Sequence, residues 1–296
     1  MKKTVIVGLT VTLVGTVLLA LGLGNGGART VYWDHGFTTD QSTPVKSHQT
    51  SAKFSGVKNF SLSTASPVQI KKGNVSKIEV TYPSATKITQ SGNTLHFNLK
   101  SPRKHHGIIF FGDFRRARQA FGKTIITVPR SMKVGTINSD VANSITIKNM
   151  TIKTITSSGV GDVNLNHVTT TENLDLENTG DVNLTTSTFP SAHLDVGAGD
   201  VDLTSNKFDS MAVETGAGDI NFNSQKVGKS FTAHSDVGDI SGHVVKNKRT
   251  QISVSADVGD ASLFGSSHNK KIDSNAKNPV TYRFTSDVGD VTILQS

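Results

Sequence analysis

Ten aspartates in this chain are placed where they could do chemistry together. Seven follow a glycine, at Asp162, Asp181, Asp200, Asp219, Asp239, Asp260 and Asp290, with spacings of 19, 19, 19, 20, 21 and 30 residues. Three more, Asp236, Asp257 and Asp287, precede the last three pairs in Asp-Val-Gly-Asp runs. Carboxylates in such number allow three chemistries. Two of them converging in a cleft with a basic group would cleave a polysaccharide by acid and base catalysis. Several oxygens at one corner would hold calcium. A carboxylate beside a glycine would instead close a turn, the glycine supplying positive φ and the carboxylate accepting backbone N–H groups. The regular period favours the turn, because carboxylates one repeat apart are spread along a repeat and not converged on a substrate. Stacked at strand spacing, about 4.8 Å, they repel unless solvated, hydrogen-bonded or bridged by a cation. Calcium stays open as the alternative at these corners, although the spacing differs from that of nonapeptide calcium-binding repeats. The expectation is therefore structural corners, with no catalytic pair, no metal site and no cofactor.

A second group of charges lies upstream. Arg103, Lys104, Arg115, Arg116, Arg118 and Lys123 face one acid, Asp113, and are interleaved with Phe110, Phe111, Phe114 and Phe121. Basic and apolar residues mixed in this way suit an anionic lipid surface or an anionic wall polymer. The competing reading is a loop that packs Ile108–Phe111 and Phe114 on the end of the domain. His105 and His106 have no carboxylate cluster beside them and do not read as a metal site.

The elements that carry the aspartates are legible from their periodicity. After the Asp come Val163/Leu165, Val182/Leu184, Val201/Leu203, Ile220/Phe222 and Val291/Ile293. Before it, the later units have Phe231/Ala233, Ile252/Val254 and Tyr282/Phe284. Alternation with period 2 marks strands with one buried face. Val168, Phe189, Phe208 and Val227 read as a second apolar anchor within each unit, and Asn138–Ile147 as a degenerate first turn. A period near 20 with short strands and no helix signal predicts an all-β fold: a parallel β-solenoid with coils of about 19–21 residues, whose units bury their apolar faces by stacking. Residues 131–296 form this repeat. Residues 53–130 read as an N-terminal β cap or irregular first coils, carrying the basic insertion 101–123.

The ladder Gly-Asp-(Val/Ile)-x-(Leu/Phe) resembles the DUF4097 family of putative adhesins. So does the upstream series Phe60-Ser-Leu, Val68-Gln-Ile, Ile78-Glu-Val-Thr-Tyr, Leu95-His-Phe-Asn-Leu and Ile125-Ile-Thr-Val-Pro. The likeness spans about Lys53 to the C-terminus. It implies a strand-repeat protein of the bacterial envelope, with adhesion or a link to envelope-stress responses as its role, and it brings no catalytic motif.

The N-terminus points to the same compartment. Lys2 and Lys3 precede an uncharged run from Thr4 to Gly24, long enough to span a bilayer as one helix. Positive charge before the run keeps that end cytoplasmic and exports the remainder. An uncleaved signal-anchor over 1–24 and a flexible spacer over 25–52 are expected, with cleavage near Ala20 and Gly22 as the alternative. The chain contains no cysteine, so disulfides and thiolate metal sites are excluded. Its net charge of +8 fits an anionic partner. The membrane segment argues against nucleic acid and for anionic lipid, wall polymer or an envelope protein. No nucleotide fingerprint, P-loop, zinc motif or nucleophile elbow is present. The expected function is a membrane-anchored, non-enzymatic module that binds an envelope ligand. The alternative is a regulatory partner of a membrane stress-sensing system.

Overall fold

The structure, a computed structural model, describes residues 31–33, 37–39, 48–99, 122–267 and 270–296. The expected anchor over 1–24 lies outside the described residues, as does most of the insertion. Among the described residues no helix is long and apolar enough to cross a membrane. The chain divides into two compact units, Met1–Lys46 with Ser101–Ala120, and Ser47–Lys100 with Phe121–Ser296. In the first, Val31–Trp33 pairs antiparallel with Phe37–Thr39.

The second unit is all-β, and 24 strands join in one continuous hydrogen-bonded sheet. Its register follows the repeat. Val163, Val182, Val201, Ile220, Ile240 and Val291 pair in parallel, each with its equivalent in the neighbouring unit. Two positions on, Leu165, Leu184, Leu203, Phe222, Gly242 and Ile293 do the same. Period-2 alternation sends both rows inward, where every member with a side chain is buried. Each such side chain contributes about 1.5–3 kcal/mol by leaving water. Gly242 looks like a defect in its row, yet a Cβ there would lie 2.4 Å from the Phe222 ring. The absent side chain leaves room for a larger neighbour. Phe222 fills it and meets Phe231 edge-on at 5.0 Å and Phe284 at 4.9 Å between ring centroids.

The second apolar row is shifted from its expected register. Phe189 pairs with Phe208 and Phe208 with Val227, but Thr169 pairs with Thr188. Thr170 therefore occupies the place equivalent to Phe189, and Val168 that of Ser187. Val168 is fully buried all the same.

Both ends of the stack depart from chain order. At the far end, Val280–Val288 pairs in parallel with Lys226–Val237 on one side and Thr250–Val258 on the other. The last unit in sequence is thus inserted next to last in space, and the 30-residue gap before Asp290 is the chain returning to fill it. At the near end, Asn59–Thr64 lies between Thr94–Leu99 and Val134–Val141, and Val68–Gly73 lies between Thr124–Pro129 and the strand beginning at Ile145. The outermost unit, Thr94–Leu99 with Thr124–Pro129, comes second in sequence, and the basic insertion interrupts it. Antiparallel strands cover each outer edge: Ile78–Pro83 and Thr86–Ser91 at the near end, Ser266–Ser267 and Lys270–Ile272 at the far end. They occupy main-chain groups that would otherwise template pairing with another chain.

Candidate functional site

The Gly-Asp corners build a ladder. The carboxylate of each aspartate accepts the backbone N–H of the aspartate in the next unit: Asp162 from Asp181 (3.3 Å), Asp181 from Asp200 (3.1 Å) and Asp200 from Asp219 (2.9 Å). The series continues from Asp219 to Asp239 (2.9 Å), then Asp239 to Asp290 (2.8 Å) and Asp290 to Asp260 (2.8 Å). The order 239, 290, 260 repeats the inversion of units at that end. One oxygen of each of these six carboxylates is thereby engaged with main chain. Gly199 shows why glycine precedes the acid. Its φ is +143°, and a Cβ would lie 2.5 Å from the carbonyl carbon of Gly180 below it. At the degenerate first turn, Asn143 and Ser144 take the place of the pair, with the Ser144 N–H on Asn143 Oδ1 at 2.8 Å.

A second ladder runs inside the stack at the other corner, where no single residue type recurs in the sequence. Ser187 Oγ accepts the Val168 N–H (3.0 Å), Asn206 Oδ1 the Ser187 N–H (3.0 Å) and Gln225 Oε1 the Asn206 N–H (3.3 Å). Each side chain also donates back: Ser187 to the Thr185 carbonyl (2.9 Å), Asn206 to Leu184 (2.8 Å) and Gln225 to Leu203 (2.8 Å). Just before each stands a residue in the left-handed region, Thr186, Ser205 and Ser224, with φ of 48°, 55° and 59°. The turn leaves buried main-chain groups without partners along the ladder, and the polar side chains supply them. The available signal was 19-residue spacing of the polar residues at 187, 206 and 225, obscured because three different side chains do one job.

The three Asp-Val-Gly-Asp corners are brought side by side. Val237 pairs with Val288, and Val288 with Val258, so three exposed valines form a short apolar stripe between acidic residues. Along the same strands, Glu177, Asp195, Glu214, His234 and Thr285 share one row. His234 meets Asp236 there, Nε2 to Oδ1 3.1 Å, and Asp287 from the inserted unit, Nε2 to Oδ1 3.9 Å. Its Nδ1 is 2.9 Å from Thr285 Oγ1. One ligand atom from each of His234, Asp236 and Asp287 lies within 4.8 Å of the others. Asp257 belongs to the terminal unit and is outside this group.

Charge is divided along the chain in a way the total of +8 conceals. Residues 131–296 contain 13 Lys and Arg against 19 Asp and Glu, a net −6, while residues 1–130 contain 18 against 4, a net +14. The repeat is therefore acidic. Of the basic segment, Arg103, Lys104, Arg115, Arg116 and Arg118 lie outside the described residues. Lys123 is exposed just before the strand Thr124–Pro129.

A solved structure shares this strand-rich fold. A putative adhesin from Bacteroides fragilis aligns with 84% of this chain and 98% of its own, with TM-score 0.53 and 17% sequence identity. A putative cell adhesion protein from Clostridium sporogenes aligns over 85% of this chain and 100% of its own, at 12% identity and TM-score 0.25. No curated protein matches the chain in sequence. The strand-rich fold, the Gly-Asp ladder and a match of residues 57–294 to the family model agree, and the chain belongs to the Toastrack DUF4097 family.

Proposed function

We propose that this chain is a membrane-anchored, extracytoplasmic binding module of the adhesin type, without catalytic activity, whose stacked units wind as a parallel β-solenoid. The observation that carries the binding role is the exposed face at the three adjoining Asp-Val-Gly-Asp corners, where apolar Val237, Val288 and Val258 are lined by carboxylates. Exposed apolar residues contiguous with charge suit a partner surface better than a solvated one. Parallel pairing at a 19-residue register supports the solenoid. The aspartate ladder supports a non-catalytic role, since carboxylates holding main-chain N–H groups are tied to structure. The apolar run Thr4–Gly24 behind Lys2 and Lys3 supports the anchor, and the likeness to a solved structure described as a putative adhesin supports surface display.

The two halves suit partners of opposite charge. The basic N-terminal half, with the segment 101–123, faces anionic lipid or wall polymer, and the acidic repeat presents the ligand-binding face. The test is capture by the full-length protein from solubilised envelopes and from isolated wall. Retention on an envelope surface ligand, weakened when Val237 and Val288 become Ser together, is the expected result. Selective recovery of a membrane kinase or a small membrane protein would replace adhesion with the regulatory role. Retention unchanged by the valine substitutions would remove the acidic face from the account.

A further inference from the structure

We propose that His234, Asp236 and Asp287 form a binding site for a divalent transition-metal ion of the zinc type, with one coordination position open to solvent or to a ligand. The inference goes beyond the binding role above and stands independently of it. Bonds of about 2.0–2.1 Å in tetrahedral geometry put zinc ligands about 3.3 Å apart. The Nε2 to Oδ1 distances of 3.1 and 3.9 Å bracket that value, and the two carboxylates lie within 4.8 Å of each other, so side-chain rotations bring the three ligands to one ion. The fold itself creates the juxtaposition. Asp287 reaches His234 because the last unit inserts against the unit carrying Asp236, while Asp257, its nearer sequence equivalent, is carried to the end of the stack.

Two further features point to a cation. Thr285 Oγ1 sits 2.9 Å from Nδ1 of His234, from the adjoining unit. With Nδ1–H donating to that hydroxyl, the Nε2 lone pair faces the two carboxylates. This is the outer-shell arrangement that orients metal-bound imidazoles. In addition, among the described residues neither Asp236 nor Asp287 is paired with a lysine or arginine, and the row Glu177, Asp195 and Glu214 runs up to His234. A metal ion takes the place of the Nε2 proton and neutralises carboxylates that adjacent units force together. One nitrogen with two carboxylate oxygens selects zinc and its neighbours over calcium, which takes six to eight oxygens.

The test titrates the purified full-length protein with ZnCl2 in a non-chelating buffer by calorimetry, and with Co²⁺ followed by its visible absorption. The wild type is expected to show one site that His234→Gln and Asp287→Asn each weaken by more than about a hundredfold. The tetrahedral cobalt bands should disappear in the same variants. Thr285→Val, which spares all three ligands, should weaken binding by about ten- to a hundredfold through the outer shell. Asp200→Asn, on the Gly-Asp ladder and away from the cluster, should bind like wild type. Binding and cobalt bands that persist in His234→Gln overturn the proposal, as does a wild type without a saturable zinc site. Calcium binding that Asp236→Asn and Asp287→Asn abolish, while His234→Gln leaves it intact, would also overturn it in favour of an oxygen-only site.

Discussion

Replacing Asn206 by Ala separates the two ladders energetically. Asn206 is fully buried, and its amide serves two main-chain groups: it accepts from the Ser187 N–H and donates to the Leu184 carbonyl. Truncation to Ala strips partners from both. A buried polar group left unpaired costs about 1–3 kcal/mol, so the two together cost about 2–6. Side-chain entropy released from the ordered amide returns about 1 kcal/mol. The expected net loss is about 3 kcal/mol, or about 6–12 °C in melting temperature for a domain of this size. Asp200→Ala gives the contrast. Its carboxylate also accepts one N–H, from Asp219, but both corners face water, which replaces the bond. Removing it also relieves repulsion between stacked carboxylates, so the expected loss is at most about 1 kcal/mol. Asn206→Asp should be at least as damaging as Asn206→Ala, because it turns the donor facing the Leu184 carbonyl into an acceptor and buries a charge. Urea unfolding of the three variants, followed by circular dichroism with slopes compared to wild type, measures this order. If Asn206→Ala and Asp200→Ala fell within about 0.5 kcal/mol of each other, the interior amide would not be holding its corner, and the reasoning would fail.

Three other outcomes follow from the same geometry. Gly199→Ala should lose at least about 2 kcal/mol in urea unfolding, since its φ of +143° disfavours any Cβ and the backbone of Gly180 blocks the space; a neutral result would mean that the corner relaxes freely. Gly242→Leu should cost about 1–3 kcal/mol by overpacking against the Phe222 ring, and Phe222→Leu in the same chain should recover part of that loss, which a double-mutant cycle would register as favourable coupling. Burial holds the Tyr282 phenol above its ordinary value of 10.0, with Arg249 pulling the other way. A raised folded-state value means that its contribution is complete below pH 10 and is lost as pH climbs through the folded value, so stability should decline in that alkaline range, and less steeply in Tyr282→Phe.

The sequence alone determined the strand content, the repeat length and the inward rows of the strands that flank each Asp, though not the register of the second apolar row. These follow from local rules: alternation fixes which residues face inward, and glycine before aspartate marks a corner whose backbone other residues resist. Phe231, Ala233, Tyr282 and Phe284 are buried as their spacing implied. The order of units in space belongs to the tertiary structure. Every unit offers nearly the same strand edges, so no local signal tells Val280–Val288 to insert beside Lys226–Val237 and leave Thr250–Val258 outermost. That choice depends on which faces and edges are left to cover. The interior ladder of Ser187, Asn206 and Gln225 was hidden for a related reason, since its residues share a geometric task and not a side-chain type. The cluster at His234 depends on both. Asp236 is two residues away in sequence, but Asp287 and Thr285 are about fifty, and only the inserted unit brings them to the imidazole.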